Sequence, residues 1–319
     1  MAMERINRLR QAWQGSIPEP TRREIGPCGS RLLRFRRPVS TPVIRILSDI
    51  HYADCGSWVH ELRSIAPLLD GPDRVIVNGD AIDTQLTHRA AERVEELQAF
   101  FGERVPSSTW ITGNHDPDIS EIHEVQLAEG RMWITHGDVF FDDVAPWSRK
   151  APEIRRRVRA QAAHLTPEQF RLIEQRFQIF REACQKLPSE QDPNRRGQLA
   201  RFRRIASVLS NLRGVAEMLR VWRELPDIAL EFSMAQRPLA QVIVTGHTHR
   251  HGVWHRSHGR VVVNTGSFCP PTGGQLVDVS DDRVTVRRIV RKNDEFRVGA
   301  TVADFRLAAP AVSAITARA

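Results

Sequence analysis

From residue 43 onward, short runs of β-branched and apolar residues alternate with polar loops. The runs occupy 43–47, 74–77, 109–112, 131–135, 241–245, 252–255, 260–263, 275–279 and 283–290. Several are apolar at every position rather than at alternate ones, the pattern of strands covered on both faces. Between the first of them, 58–69 and 89–101 carry helical spacing, so the order reads β-α-β-α. After His247 the runs are joined by turns as short as Asp281-Asp282, which predicts antiparallel neighbours. The expected fold class is α/β with mixed sheets.

Between 148 and 237 the period turns helical. Phe170, Ile173, Phe177, Phe180, Cys184 and Leu187 recur at steps of three and four, and Thr166-Pro167-Glu168-Gln169 supplies an N-cap, a first-turn proline and a capping-box glutamine. Phe202, Ile205, Leu209, Leu212, Ala216 and Leu219 repeat the spacing after a loop with Pro188, Pro193 and Gly197. Two antiparallel helices are predicted, preceded by a shorter basic one over 152–165. The organisation expected is a basic extension at 1–41, a core made of 42–147 and 238–306, a helical insertion or cap at 148–237, and a tail at 307–319. In the extension, Ile6, Leu9 and Trp13 beside Arg5 and Arg8 suit either a membrane-surface helix or a solvated tail.

Composition adds two constraints. Hydrophobic residues make up 41% of the chain, which excludes wholesale disorder. The net charge of +8 is uneven: 42–147 carries −12, while 1–41, 148–237 and 238–319 carry +6, +9 and +5. An Asp-rich block suits a cation site, and basic flanks attract phosphate, nucleic acid or anionic lipid head groups. Four cysteines (Cys28, Cys55, Cys184, Cys269) form no CxxC pair, so neither a disulfide framework nor a cysteine-rich zinc site is expected. With no apolar stretch of membrane-spanning length and no signal-peptide core, the expected location is cytoplasmic, with peripheral contact at the inner face of a membrane as an extension of that reading.

Polar clusters directly follow five of the apolar runs: Asp49-Ile50-His51, Gly79-Asp80-Ala81-Ile82-Asp83, Gly113-Asn114-His115-Asp116, His136-Gly137-Asp138 and Gly246-His247-Thr248-His249. Ligands of α/β sheets bind beyond the carboxyl ends of strands, so these loops can converge on one crevice. Their inventory holds two carboxylates (Asp49, Asp80), four imidazoles (His51, His136, His247, His249) and one amide oxygen (Asn114). Seven donors exceed the need of one ion and suit two sharing a carboxylate. A mixed N/O set without thiolate favours Mn, Fe or Zn over Ca. Two such ions about 3.5–4 Å apart are a recurring device for displacement at phosphorus.

With these motifs the sequence resembles the calcineurin-like metallophosphoesterases, over about 42–147 and 238–290. The resemblance implies a four-layer α/β/β/α sandwich. It also implies a first metal held by Asp49, His51, Asp80 and His249 and a second by Asp80, Asn114, His136 and His247, with Asp80 as the bridge. His115 matches the family's catalytic histidine and Asp83 the carboxylate that orients it. The helical insertion, placed between the HGD and GHTH blocks, resembles that of the UDP-2,3-diacylglucosamine pyrophosphatases of lipid A synthesis, whose inserted helices cover acyl chains. Those enzymes carry GNRD where this chain has GNHD. The resulting expectation is a dinuclear-metal phosphoester hydrolase, Mn-dependent, acting on a phosphorylated small molecule or lipid nucleotide. Nucleic-acid or nucleotide phosphodiester hydrolysis is a less favoured alternative, since aromatic stacking platforms are sparse, and a metal-free scaffold is a third. Asp138 is expected to anchor a neighbouring loop or a ligand histidine, whereas Cys55, Cys269, His251, His255 and His258 lie near the motifs without an assigned role.

Overall fold

Each apolar run that ends in a polar cluster forms a strand. The computed structural model describes residues 41–54, 56–85, 89–185 and 212–309; the extension at 1–40, Cys55 and the first half of the second helical seam lie outside the described residues. In chain order the strands are β1 (Ile44–Leu47), β2 (Arg74–Asn78), β3 (Ser107–Ile111), β4 (Glu124–Leu127), β5 (Met132–Thr135), β6 (Val242–Thr245), β7 (Gly252–His255), β8 (Val261–Asn264), β9 (Gln275–Ser280), β10 (Arg283–Lys292) and β11 (Glu295–Arg306). They make a six-stranded sheet of order β11-β10-β9-β1-β2-β3 and a five-stranded sheet of order β4-β5-β6-β8-β7. β1, β2 and β3 run parallel at one edge of the first sheet, and β5, β6 and β8 run parallel at the middle of the second. Antiparallel β9, β10 and β11 continue the first sheet on the β1 side and β4 and β7 flank the second, so each sheet is mixed.

Helices cover the outer faces. On the first sheet lie a 3-10 helix (Leu62–Leu68) and α1 (Ala90–Gly102). On the second lie α2 (Ala151–Ala162), α3 (Pro167–Phe170), α4 (Ile173–Cys184) and α5 (Leu212–Gln236). Three apolar clusters separate the layers. Ile46, Ile76 and Val277 meet Met132, Val242 and Val263 between the sheets. Leu47, Val75 and Val77 point the other way, onto Ile65, Leu97 and Phe101. Trp133, Ile243 and Val262 pack under Val158, Phe180 and Leu225. Because strand side chains alternate, one strand serves two cores, which is why these runs are apolar throughout. The layers run α/β/β/α.

Several elements differ from expectation. The segment at 58–69 is a 3-10 helix over Leu62–Leu68, with Pro67 inside it lacking the amide that a helical ladder needs. The helix predicted from Thr166 onward is two: the capping box of Thr166 and Gln169 forms, but Leu172 is extended (ψ 129°) and α4 starts afresh at Ile173. In α5 the seam residues Leu212 and Leu219 are exposed, and Val221, Leu225 and Ala229 are among the buried ones. Strands β4 and β11 were absent from the expected set.

Candidate metal centre

All five polar clusters lie just beyond the ends of β1, β2, β3, β5 and β6, which belong to the parallel part of each sheet. Five of the seven predicted ligands have left-handed backbone: Asp49 (φ 51°), His51 (φ 48°), Asp80 (φ 51°), His247 (φ 67°) and His249 (φ 58°). For non-glycine residues that conformation costs about 1–3 kcal/mol each and persists only where surrounding contacts hold it. The contacts here cross between loops. Asp49 N–H donates to Gly79 O and His51 N–H to Asp80 O, both at 3.0 Å. His247 N–H donates to the Asp49 carboxylate at 3.1 Å, tying the two sheets together. Glycines precede Asn114 and His247 for want of space. A Cβ at Gly113 would collide with the Asp80 carboxylate, and one at Gly246 with the carboxylate of Asp49.

Two groups of ligand atoms result, each with its members within 4.8 Å of one another: Asp49, His51, Asp80 and His249; and Asp80, His136 and His247. Asp80 belongs to both. Asn114 sits between Gly113 and His115, whose backbone amide donates to Asp80 Oδ1 at 2.9 Å. Four buried side-chain atoms in this cluster lack a hydrogen-bond partner: His51 Nδ1, Asn114 Oδ1, His136 Nε2 and His247 Nδ1. The opposite ring nitrogens of two histidines are occupied, since His136 Nδ1 bonds Asn78 O at 2.9 Å and His247 Nε2 bonds Val144 O at 2.7 Å. A carbonyl can only accept, so Nε2 of His247 carries the proton of its neutral ring and Nδ1 presents its lone pair, whereas His136 Nε2 lies 3.3 Å from Asp80 Oδ2, whose charge raises that imidazole well above its ordinary value against the effect of burial. The donor set therefore fits divalent cations.

The electrostatics agree. Burial would raise the Asp80 carboxyl, but the imidazoles of His136, His115 and His51 hold it well below the usual carboxylate range. Asp49 is lowered in the same way, against burial, by His249 and His136. Burial drives His51 down to about 4 and His247 to about 3, so both are neutral near pH 7. Burial would also lower His115, yet the charges of Asp80 and Asp83 raise it to about 10. Its Nδ1 lies 2.7 Å from Asp83 Oδ2, and its side chain is 41% exposed, the open side of the cluster.

Two contributors carry no ligand signature in the sequence. Asp116, fully buried, accepts from the backbone amides of Asp80 (3.0 Å), Ala81 (2.6 Å) and Gly113 (2.8 Å), clamping the β2 and β3 loops together. Burial and the Asp80 charge raise it to about 7. The second is the Val144 carbonyl beneath His247. Of the unassigned residues, Cys269 is buried within 4.8 Å of ligand atoms of His51 and His249. His251 turns away, to Gly273 O and Arg288. Burial lifts Asp138 to about 6, beside His136. Asn264 braces the GHTH loop through Gly246 O (2.6 Å) and Thr248 Oγ1 (3.1 Å).

A family profile described as calcineurin-like phosphoesterase matches residues 42–251. No protein of curated function matches the chain. Similar solved structures include a single mutant of Vps29 from Entamoeba histolytica, 11% identical, covering 83% of this chain and 99% of its own, with a TM-score of 0.39. Vacuolar protein sorting 29 from Cryptosporidium parvum is 15% identical over 84% of this chain and 99% of its own, at a TM-score of 0.37. A dimetal phosphatase from Danio rerio is 12% identical over 84% of this chain and 100% of its own, at a TM-score of 0.40.

Proposed function

Given that the chain belongs to the calcineurin-like phosphoesterase family, we propose that it is a dinuclear-metal phosphoester hydrolase. Asp49, His51, Asp80 and His249 hold the first divalent ion, and Asp80, Asn114, His136 and His247 the second. The observation that carries this reading is that Asp80 belongs to two groups of buried ligand atoms, with Asn114 Oδ1 and His247 Nδ1 buried and without a hydrogen-bond partner. Two ions, when bound, supply charge to the phosphoryl oxygens and lower the pKa of a water nucleophile. The mixed donor set favours Mn, with Fe or Zn as substitutes.

His115 works from the open side. Its Nδ1–H donates to Asp83, which fixes the ring and leaves Nε2 to carry the proton given to the leaving oxygen. In the metal-free chain Asp80 and Asp83 hold that proton tightly. Neutralising the Asp80 charge brings the pKa down toward the range where the proton can be transferred.

The substrate in this reading is a phosphorylated small molecule or lipid nucleotide, and the narrower choice is the pyrophosphate of UDP-2,3-diacylglucosamine or a related phosphodiester. Support comes from a cavity of about 740 Å³ lined by Phe140, Phe141 and Phe170 together with Asp142, Asp143, Arg155, Arg159 and Arg220, of which Arg155 is paired with Asp143 and Arg220 with Glu217 and Glu224. A cavity lined by aromatic rings and by charged groups suits a molecule with an apolar part and a polar head. No helix among the described residues is long and apolar enough to cross a membrane; a cytoplasmic location with peripheral membrane contact through 1–41 belongs to the same proposal.

The test is hydrolysis of UDP-2,3-diacylglucosamine by the Mn-loaded chain in detergent, following UMP release beside an EDTA control and bis-p-nitrophenyl phosphate. Metal-dependent UMP release supports the narrow reading. Cleavage of the artificial diester alone keeps the dinuclear mechanism and moves the substrate toward nucleotide or nucleic-acid phosphodiesters. Inactivity on both favours the scaffold.

A further inference from the structure

Arg176 lies on α4, forty residues from the nearest predicted ligand, His136, yet its side chain is only 4% exposed. A guanidinium buried to that degree is costly unless its donors are matched. Nε donates to Val139 O at 2.7 Å and Nη1 to Asp142 Oδ1 at 3.0 Å, while Nη2 is buried without a hydrogen-bond partner. The rings of Phe170, Phe180 and Phe232 lie 4.9, 4.6 and 5.2 Å from its Cζ, favourable contacts for a desolvated cation. Both paired nitrogens grip the same short loop.

That loop leads directly to the metal centre. Two residues beyond Asp142, Val144 adopts left-handed backbone (φ 61°), and its carbonyl accepts the His247 Nε2 hydrogen bond. Phe141 and Trp147, on either side of Val144, place their rings 6.2 and 5.1 Å from the His247 ring. One face of His247 and its Nε2 are thus set by the 139–147 loop, whose own position is set by α4. The partnerless Nδ1 points where it does because of this loop.

We propose that Arg176 is a positioning residue for His247: by pinning Val139 and Asp142 it fixes the carbonyl that orients the imidazole toward the second ion, making the outer helical layer part of the metal centre. The inference rests on the metal assignment proposed above. By linkage, binding of the second ion must in turn strengthen the attachment of α4. A guanidinium that only packed would lower stability equally with and without metal.

The experiment titrates the full chain with Mn(II) for wild type, Arg176→Lys, Arg176→Met and Asp142→Asn, with the metal count checked by elemental analysis and melting followed in EDTA and in saturating Mn(II). The expected result is an unchanged first ion and a second ion weakened by about tenfold to a hundredfold in Arg176→Met. Arg176→Lys, which keeps the charge but not the fork, should recover part of the affinity, and Asp142→Asn should show the same loss at smaller size. Metal should raise the melting temperature less in the variants than in wild type. Two ions bound to Arg176→Met as tightly as to wild type would overturn the proposal, whatever happened to its stability. Should Arg176→Met not fold, the second-ion affinity of Arg176→Lys and Asp142→Asn decides by the same criterion. A wild-type chain that binds no second ion would instead overturn the metal assignment itself.

Discussion

Asp49, His51 and Asp80 are held from within the sandwich, by amide hydrogen bonds that run from one strand-end loop to the next. His136 and His247 are held by one carbonyl each, and the one under His247 belongs to a loop propped by the outer helices. The contrast shows two ways of presenting a ligand. In the first, the loops form a mutual scaffold, and left-handed backbone at Asp49, His51 and Asp80 is locked by several bonds at once. In the second, one carbonyl sets each ring nitrogen, and for His247 that carbonyl lies in a loop braced by Arg176 of α4. The first half should therefore be rigid and metal-ready, and the second should respond to the helical layer.

The sharpest way to break that comparison is to remove what the halves share. Asp80→Ala should lose both ions and reduce phosphodiester hydrolysis by about 10⁴-fold, ~5 kcal/mol of barrier, whereas His247→Ala should keep the first ion and lose the second. Elemental analysis alongside the rate separates the two, and equal metal loss from both variants would mean that the halves are not distinct. Next in size, His115→Ala should retain both ions while turnover falls by about 10²–10⁴-fold. Metal lost together with turnover would make His115 structural.

The smallest expected effect is on the metal-free chain. His115 is raised to about 10 from an ordinary value near 6.5. A folded-state pKa above the unfolded one stabilises fully below the unfolded value, and that stabilisation disappears as pH rises from 6.5 toward 10. In EDTA, wild type should lose more melting temperature between pH 6.5 and 9.5 than His115→Asn does. The exposed side chain keeps the difference small, since solvent screens the charges. Identical pH profiles would contradict the charge environment assigned to His115.

These two halves also differ in how far they can be read from sequence. The strand-end ligands are legible because metal chemistry admits few residue types and each follows an apolar run of strand length, so DIH, GD, GN and GHTH announce both position and role. The helical layer is legible as helix but not as packing. Leu212 and Leu219 fit a three-four seam and are nonetheless exposed, because spacing selects a face without saying what covers it. The break at Leu172 has no Gly or Pro to signal it. Strand β4 (EVQL) is too short and too polar to stand out, and β11 is half-exposed, held by its antiparallel pairing with β10. Asp116 accepts amides rather than a ligand, and Arg176 stands one place off the apolar seam, where a charged residue reads as solvent-facing. Asp116 acts through backbone amides and Arg176 partly through the Val139 carbonyl, groups that a sequence does not display.

The most direct test of the central claim is a metal count on the chain purified without chelator and reconstituted with Mn(II), read together with hydrolysis of bis-p-nitrophenyl phosphate before and after EDTA. The account predicts two ions per chain and hydrolysis that EDTA abolishes and Mn(II) restores. A chain that binds no stoichiometric Mn, Fe or Zn, with no EDTA-sensitive hydrolysis, would contradict it.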